Sequence, residues 1–358
     1  MRINILKSIL IANLESNEVR KIQYTGKSTY ILSLPKKWIN EMRLKAGDSV
    51  TIMREANHSL SIIPYSVRNP PSAETLSFIS NEDRENTIKR KVISMYLKGF
   101  NIITLKSKTN RIYPMQREAV REVVRRNLVG TEIIAESSDI ITLQVLSNLN
   151  ELSIKTAVRR MFLIGSSMQK DAMVALFENN KDLAMTVIRS DDEVDRFSLY
   201  VLRNLVVATQ NERILKEIGL KTPADCLSYN VAVKSIERIA DHATGIAAKA
   251  IKIDGRLSKR LFDKIDEMSK LSLEILNDSV EAFLRKDYYL ADGIVDKSAT
   301  IGTIEDEILE ILKDEKNSYS NLADVKLILE HIRRTAEYSS DIAEAALNQT
   351  IEEIIELK

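Results

Sequence analysis

Cysteine is nearly absent from this chain: Cys226 is the only one in 358 residues. A lone thiol excludes an internal disulfide and a cysteine zinc cluster, and it fits a reducing compartment. Histidine is almost as scarce. His58, His242 and His331 share no spacing and form no site, so each reads as a structural or surface residue, with His242 following an acid pair as its neighbour. Long apolar runs are also missing. Ile3 to Leu14 is interrupted by Asn4, Lys7, Ser8 and Asn13, which makes it too short and too polar to cross a bilayer, and no small-residue cleavage site follows it. The expectation is a cytoplasmic protein with no membrane insertion. There is no nucleophile elbow, no glycine loop to cradle a phosphate and no acid/base pair with a pocket, so the sequence does not read as an enzyme. Ten glycines and six prolines against 29% charged and 44% hydrophobic residues point to a mostly helical globular chain, long enough for two or three domains.

The net charge of +1 conceals a division. Residues 20–64 carry eight Lys/Arg against three Asp/Glu, and residues 82–136 carry twelve against seven, so each segment is +5. Residues 137–358 carry 29 against 38, which is −9. A basic front suits a polyanion and an acidic rear suits a cation.

Between Val19 and Pro64 the apolar residues alternate in four short runs, around Lys21–Tyr24, Ser28–Leu34, Ser49–Met53 and Ser59–Ile63, which predicts four strands. Pro35-Lys-Lys-Trp-Ile-Asn-Glu-Met between the second and third is a helical turn opened by proline, and Gly47 supplies the positive backbone angle of the turn Lys45-Ala-Gly-Asp48. So small a unit buries little apolar surface by itself, and dimerisation is the natural remedy. The order strand, Ser-Leu-Pro-Lys-Lys-Trp, Leu-Lys-Ala-Gly-Asp, strand, strand resembles the swapped-hairpin DNA-binding domain of the AbrB and SpoVT type. That resemblance implies an intertwined homodimer that binds DNA through Lys27, Lys36, Lys37 and Arg43.

Residues 65–81 contain the Asn-Pro-Pro stretch without periodicity and read as a semi-rigid linker. From Glu82 to Val145 the pattern is helix, strand, helix, strand, strand, with Gly99 and Gly130 ending the helices. Arg117, Arg121, Arg125 and Arg126 form a basic ridge on the second helix, which either contacts DNA, faces the acidic rear or is simply solvated.

Beyond Leu152 the periodicity is helical throughout, and six long helices are expected, at about 152–178, 181–209, 223–251, 256–285, 287–313 and 321–348. Thr222-Pro223-Ala224-Asp225 starts the third. Glu237-Arg-Ile-Ala-Asp241 recurs one hundred residues later as Glu337-Tyr-Ser-Ser-Asp341, each acid pair lying beside a stripe of Ile and small residues on one helix face. With Asp191-Asp-Glu-Val-Asp195, these segments resemble the PhoU family of phosphate-uptake regulators, built from two three-helix repeats with Glu/Asp-x-x-x-Asp metal-binding motifs. The resemblance implies a hard metal (Mg, Mn, Ca or Fe) held by Asp191, Asp195, Glu237, Asp241, Asp296, Glu337 and Asp341, and partners among phosphate-transporter subunits or a signalling kinase. One slot departs from the pattern: Thr300 stands where the second repeat needs the counterpart of Asp195.

The expected fold is mainly α with a small β N-terminal domain (α+β). Its boundaries are an arm at 1–18, the swapped-hairpin domain at 19–64, the linker, a small α/β domain at 82–147, and three-helix repeats at 152–254 and 255–350. The expected function is a DNA-binding regulator of phosphate uptake. The alternatives are an interaction protein that does not bind DNA and docks on a transporter or kinase, and, less favoured, a metal-dependent hydrolase.

Overall fold

The computed structural model describes residues 18–26, 29–54, 59–65, 74–109, 111–146, 152–253, 255, 257–314 and 319–355. It divides into two compact units, residues 1–72 and 73–358.

In the first unit β1 (Gln23–Thr25) pairs with β2 (Thr29–Ile31), and β3 (Val50–Arg54) pairs with β4 (Leu60–Pro64), both antiparallel. Between these hairpins lies α1 (Lys36–Glu41), for which Pro35 stands at the cap position. Gly47 has a φ of +98°, and Asp48 closes its turn by accepting from the Lys45 amide at 2.7 Å, as the turn chemistry predicts. Among the described residues of this unit Pro64 alone is buried. Tyr24, Tyr30, Ile31, Ile52 and Leu60 lie largely exposed.

The second unit opens on a strand that the sequence pattern did not separate from the linker. β5 (Glu74–Ile79) pairs in parallel with β6 (Ile102–Ser107), Leu76 opposite Thr104 and Phe78 opposite Lys106. The four-stranded sheet has the order β5-β6-β8-β7, with β7 (Thr131–Glu136) and β8 (Ile140–Val145) antiparallel. Helices α2 (Glu85–Leu97) and α3 (Pro114–Asn127) contribute Ile88, Val92, Tyr96, Val120 and Val123 to a core shared with Ile79, Ile103, Leu105, Ile141 and Leu143 of the strands. Alternation along the strands leaves Leu76, Phe78, Thr104 and Thr142 on the other face.

The rear is a bundle of α4 (Ile154–Glu178), α5 (Lys181–Ala208), the short α6 (Glu212–Glu217), α7 (Asp225–Ala250), α8 (Lys259–Arg285), α9 (Tyr288–Ser298), α10 (Ile301–Asp314) and α11 (Tyr319–Thr350). Side-chain caps start the helices where the sequence supplies them. Ser153, Asn180, Ser258 and Asp287 each accept from an amide of the first turn. At α7 the capping is reciprocal, since Asp225 accepts from the Thr222 amide (3.1 Å) and Thr222 Oγ1 from the Asp225 amide (3.4 Å). The helix expected at 287–313 is broken into α9 and α10. The Thr300 hydroxyl donates to the Lys297 carbonyl at 2.7 Å, the backbone turns through Thr300 N to Lys297 O, and a new helix begins at Ile301.

The first helices of the two repeats, α4 and α8, and their third helices, α7 and α11, pack against one another. Within the first repeat small residues let α4 and α7 approach closely: the Gly165 Cβ position lies 4.0 Å from Ala240 Cβ, and Ala240, Ala243 and Ala247 are fully buried. A buried polar link fixes the register between repeats. Gln169 donates to Ser269 Oγ (3.0 Å) and Ser272 Oγ (2.9 Å) and accepts from Thr335 Oγ1 (2.9 Å).

The α/β layer is fastened to the bundle by Arg203 of α5, only 5% exposed. It donates to the carbonyls of Tyr96 and Gly99 (the latter at 3.2 Å) and to Asn101 Oδ1 (2.7 Å), and its guanidinium stacks 4.8 Å from the Tyr96 ring. Gly99, at φ +98°, ends α2 and lets Val207 approach to 2.8 Å of where a Cβ would stand.

Candidate functional site

The acid pair of α7 lies at the margin of its packed face, as the sequence implied. Ile236, Ile239 and Ala240 point inward, while Glu237 is half-buried and Asp241 exposed. Asp191 and Asp195, one turn apart on α5, come up against this pair. Burial, then the charges of Asp241, Asp195, Asp192 and Glu237, push Asp191 up to about 7. Burial, then Glu237 and Asp241, raise Asp195 to about 6 against the opposing charge of Lys234. Asp241 is likewise raised, first by burial and then by Glu237. Lys234 Nζ pairs with both oxygens of Glu237, at 3.0 and 2.9 Å. The first repeat therefore gathers four carboxylates on two facing helices with one lysine among them. Donor type and charge fit a hard cation. As the side chains stand, though, no three His, Cys, Asp or Glu among the described residues converge to hold a metal.

The second repeat differs from the expectation. Glu337 is taken by two guanidiniums, Arg333 and, at 2.9 Å, Arg334, which also hold Glu330. Arg333 reaches Glu305 of α10 as well, at 3.6 Å. A carboxylate already paired with two arginines is a poor cation ligand, because the cation would have to displace both. Asp296 sits exposed on α9, just before Lys297, which bridges to Glu274 (2.6 Å) and Asp278 (3.3 Å). Arg333 links Glu337 of α11 to Glu305 of α10. Asp341 is raised by burial first, then by Glu344 and Glu337, with Arg238 opposing. So the acid pair of the second repeat, with Asp296, does not reproduce the four-carboxylate cluster of the first.

The sequence also separated two histidines that the fold joins. His242 of α7 and His331 of α11 stand with their Nδ1 atoms 2.8 Å apart. Tyr338 stacks on His242 at 5.5 Å, and Arg238 lies 5.3 Å over the Tyr338 ring. Burial, followed by the charges of His331 and Arg334, pulls His242 down to about 4; burial and Lys249 lower His331. Neutral imidazoles follow, one donating to the other. Gly245 makes the room, since a Cβ there would lie 2.5 Å from the His331 ring. Lack of a side chain at position 245, facing a ring 86 residues away, is the only sequence signal of this contact, and it is legible only once α7 and α11 are known to cross.

At the front, Lys36, Lys37 and Arg43 are exposed on and just after α1, and Arg43 occupies the left-handed region at φ +53°. Lys27 and His58 lie outside the described residues. Three arginines of the α3 ridge pair within the chain, although Arg121, Arg125 and Arg126 stay exposed. Arg117 pairs with Glu136 (2.6 Å) and donates to the carbonyls of Ser137 and Ser138, Arg121 pairs with Glu136 (3.1 Å), and Arg126 lies 3.9 Å from Asp192 beside the acid cluster. No helix among the described residues is long and apolar enough to cross a membrane.

Comparison with known proteins divides the chain in the same way. The sequence profile of the PhoU domain matches twice, at residues 158–250 and 265–346, and that of the antidote-toxin recognition MazE bacterial antitoxin matches residues 23–69. A phosphate-specific transport system accessory protein PhoU homolog of Aquifex aeolicus is 26% identical over 193 residues, covering 51% of this chain and 83% of the relative. The homolog of Streptococcus pneumoniae is 24% identical over 194 residues, covering 52% and 86%. Among solved structures, the phosphate transport system regulatory protein PhoU from Streptococcus pneumoniae aligns with a TM-score of 0.48 at 22% identity over 58% of this chain and 98% of its own. PhoU from Pseudomonas aeruginosa aligns at 0.49 and 20% over 56% and 96%. The paired domain matches and the sequence relatives place this chain in the PhoU family, in a form with two PhoU domains behind an N-terminal MazE/AbrB-type domain.

Proposed function

We propose that the protein regulates phosphate uptake by coupling a DNA-binding dimer at its front to a cation-binding helical module at its rear. The observation that carries this reading is the pairing, in one chain, of a MazE-type segment with two PhoU domains whose relatives are named as accessory proteins of phosphate-specific transport. The front unit supports dimerisation, because its tyrosines and aliphatic residues remain exposed in a single copy. Lys36, Lys37 and Arg43, with Lys27, are the residues proposed to meet DNA phosphates. In the first repeat Asp191, Asp195, Glu237 and Asp241 are the residues proposed to hold a hard cation. When bound, the cation supplies the positive charge these carboxylates lack, with small side-chain rotations closing them on it. The second repeat, with Arg333 and Arg334 on Glu337, binds a cation more weakly or not at all.

A mobility-shift assay on the protein's own promoter, with and without phosphate and divalent metal, tests the coupling. Each phosphate neutralised contributes roughly −0.9 to the slope of log affinity against log salt. Lys36→Ala/Lys37→Ala, changed in both subunits, should flatten that slope by up to about 3 to 4 and weaken all sequences alike, because phosphate contacts carry no base information. Unchanged affinity and slope with an intact dimer would remove these lysines from the interface. Elemental analysis of protein purified without chelator should find a hard metal that is lost in Glu237→Ala/Asp241→Ala; a metal-free wild type would sink the cation reading. A second reading, docking on a transporter subunit without DNA, is favoured by the relatives' names alone, and an absence of any shift on DNA would select it.

A further inference from the structure

The third helices of the two repeats, α7 and α11, correspond at an offset of 96 residues, the step from Arg238 to Arg334 and from His242 to Tyr338. Two reciprocal contacts at their crossing fix it. Arg238 lies over the Tyr338 ring, and the charge of Arg334 in turn bears on His242. The burial pattern agrees. Buried Val233, Ala240 and Ala247 fall on buried Leu329, Ala336 and Ala343, whereas an offset of 100, the spacing of the acid motif, would set them on half-buried Arg333, Ser340 and Leu347. At the structural offset Asp241 answers to Glu337, Glu237 to Arg333 and Lys234 to Glu330. The ion pair Lys234 with Glu237 thus recurs with its charges exchanged, as Glu330 with Arg333.

The exchange changes what the site holds. Position 237 is the one that meets the second helix of its repeat, since the charge of Glu237 bears on both Asp191 and Asp195 of α5. In the second repeat the corresponding position carries a guanidinium. Arg333 pairs with Glu330 and Glu337 of its own helix and, through Nε at 3.6 Å, with Glu305 of α10. Three carboxylates from two helices converge on one cation, and among the described residues no other cation pairs with Glu305. Arg334 does not make the difference, because Arg238 stands at its place in the first repeat. A guanidinium is charged at every accessible pH, and its planar fork serves several carboxylates at once, so it offsets such a cluster as a bound metal would. Being part of the chain, it is not lost by dilution or to a chelator. We propose that Arg333 is the resident cation of the second repeat, filling the place of a metal, so that the rear module answers to cations through its first repeat alone. The restriction to the first repeat rests on the cation site proposed there; the closure of the second does not.

The test uses the full-length protein with the four acids of the first repeat neutralised, as Asp191→Asn/Asp195→Asn/Glu237→Gln/Asp241→Asn, so that only the second repeat is read. With Arg333 in place, Mn²⁺ or Ca²⁺ should not move the melting temperature from its value in chelator at the same ionic strength. Adding Arg333→Gln removes the guanidinium, and the chain should then melt lower in chelator. It should regain about 3 °C or more at about 5 mM of either ion, a concentration above the Kd of about 10⁻⁴–10⁻³ M of weak carboxylate sites. Arg333→Lys keeps the charge and should respond no more than the parent. Arg213→Gln, which breaks a surface pair with Glu217 at 2.8 Å, serves as the control and should gain no response. If Arg333→Gln is unfolded in chelator, the ion must restore its fold. An ion response as large with Arg333 in place, or none in Arg333→Gln, overturns the assignment. A wild type that responds no more than the neutralised chain sinks the first-repeat site and leaves Arg333 as the cation of the second.

Discussion

Replacing Arg203 tests whether a buried cation with no carboxylate partner among the described residues stabilises the junction it spans. Two effects oppose each other. Taking a guanidinium out of water is costly, and exchanging a buried charge for an apolar side chain is often neutral or favourable. Burial indeed lowers the pKa of Arg203. Here, however, the acceptors cannot leave with the arginine. The Tyr96 carbonyl keeps the Gly99 amide at 3.0 Å, but the Gly99 carbonyl and the Asn101 side-chain oxygen lose the guanidinium that serves them. A fully buried orphaned acceptor costs about 1–3 kcal/mol, but Gly99 is only half-buried and Asn101 exposed, so water serves them in part and Arg203→Met should lose about 1–2 kcal/mol. Arg203→Lys, with one compact ammonium in place of a fork, should fall between the two. Urea denaturation would measure the loss. Hydrogen exchange should show it concentrated at the end of α2 and in β6, which are the parts Arg203 holds. A variant within about 0.5 kcal/mol of wild type, or more stable, would show that desolvation outweighs the contacts and refute the reasoning.

Three further outcomes are expected. Gln169→Ala should destabilise by about 2–4 kcal/mol, and Gln169→Met by about 1, since Thr335 and Ser272 keep carbonyl partners of their own (3.3 and 2.8 Å) and the volume is conserved; equal losses would contradict this. Gly245→Ala should cost about 1–3 kcal/mol by driving a methyl into the His331 ring, and His331→Ala in the same chain should recover most of it in a denaturant cycle. Asp191 and Asp195 titrate at about 7 and 6 in the fold, above the ordinary carboxylate value. The folded state therefore holds protons that the unfolded chain has lost, and metal-free stability should be fullest below about pH 4 and decline as pH rises towards 7. Asp191→Asn should melt with wild type at pH 4 and above it at pH 8, by about 1 kcal/mol after discounting for solvent screening; parallel pH profiles would count against an uncompensated cluster.

Local chemistry made much of this protein readable. Apolar residues at helical spacing, the cap at Thr222 and the stops at Gly99 and Gly130 act within one turn of chain, so most helix positions, the two hairpins and the duplicated acid motif follow from residues a few places apart. Glu237 and Asp241 were legible for the same reason, as a pair one turn apart beside an apolar stripe, while Asp191 and Asp195 came with the resemblance to the PhoU family. What tertiary structure alone decided depends on distant partners. Glu74–Ile79 reads as linker until β6 supplies a parallel neighbour across a helix. Thr300 is a missing acid in the sequence and a helix break in the fold. Glu337 looks like Glu237 until Arg333 and Arg334 close on it. His242 and His331 are unrelated in sequence and touch only because α7 and α11 cross at Gly245. The arginines of α3 are a basic ridge by spacing, but three of them find acids of other elements, Glu136 and Asp192, since an ion pair depends on distance in space and periodicity fixes distance only along one helix.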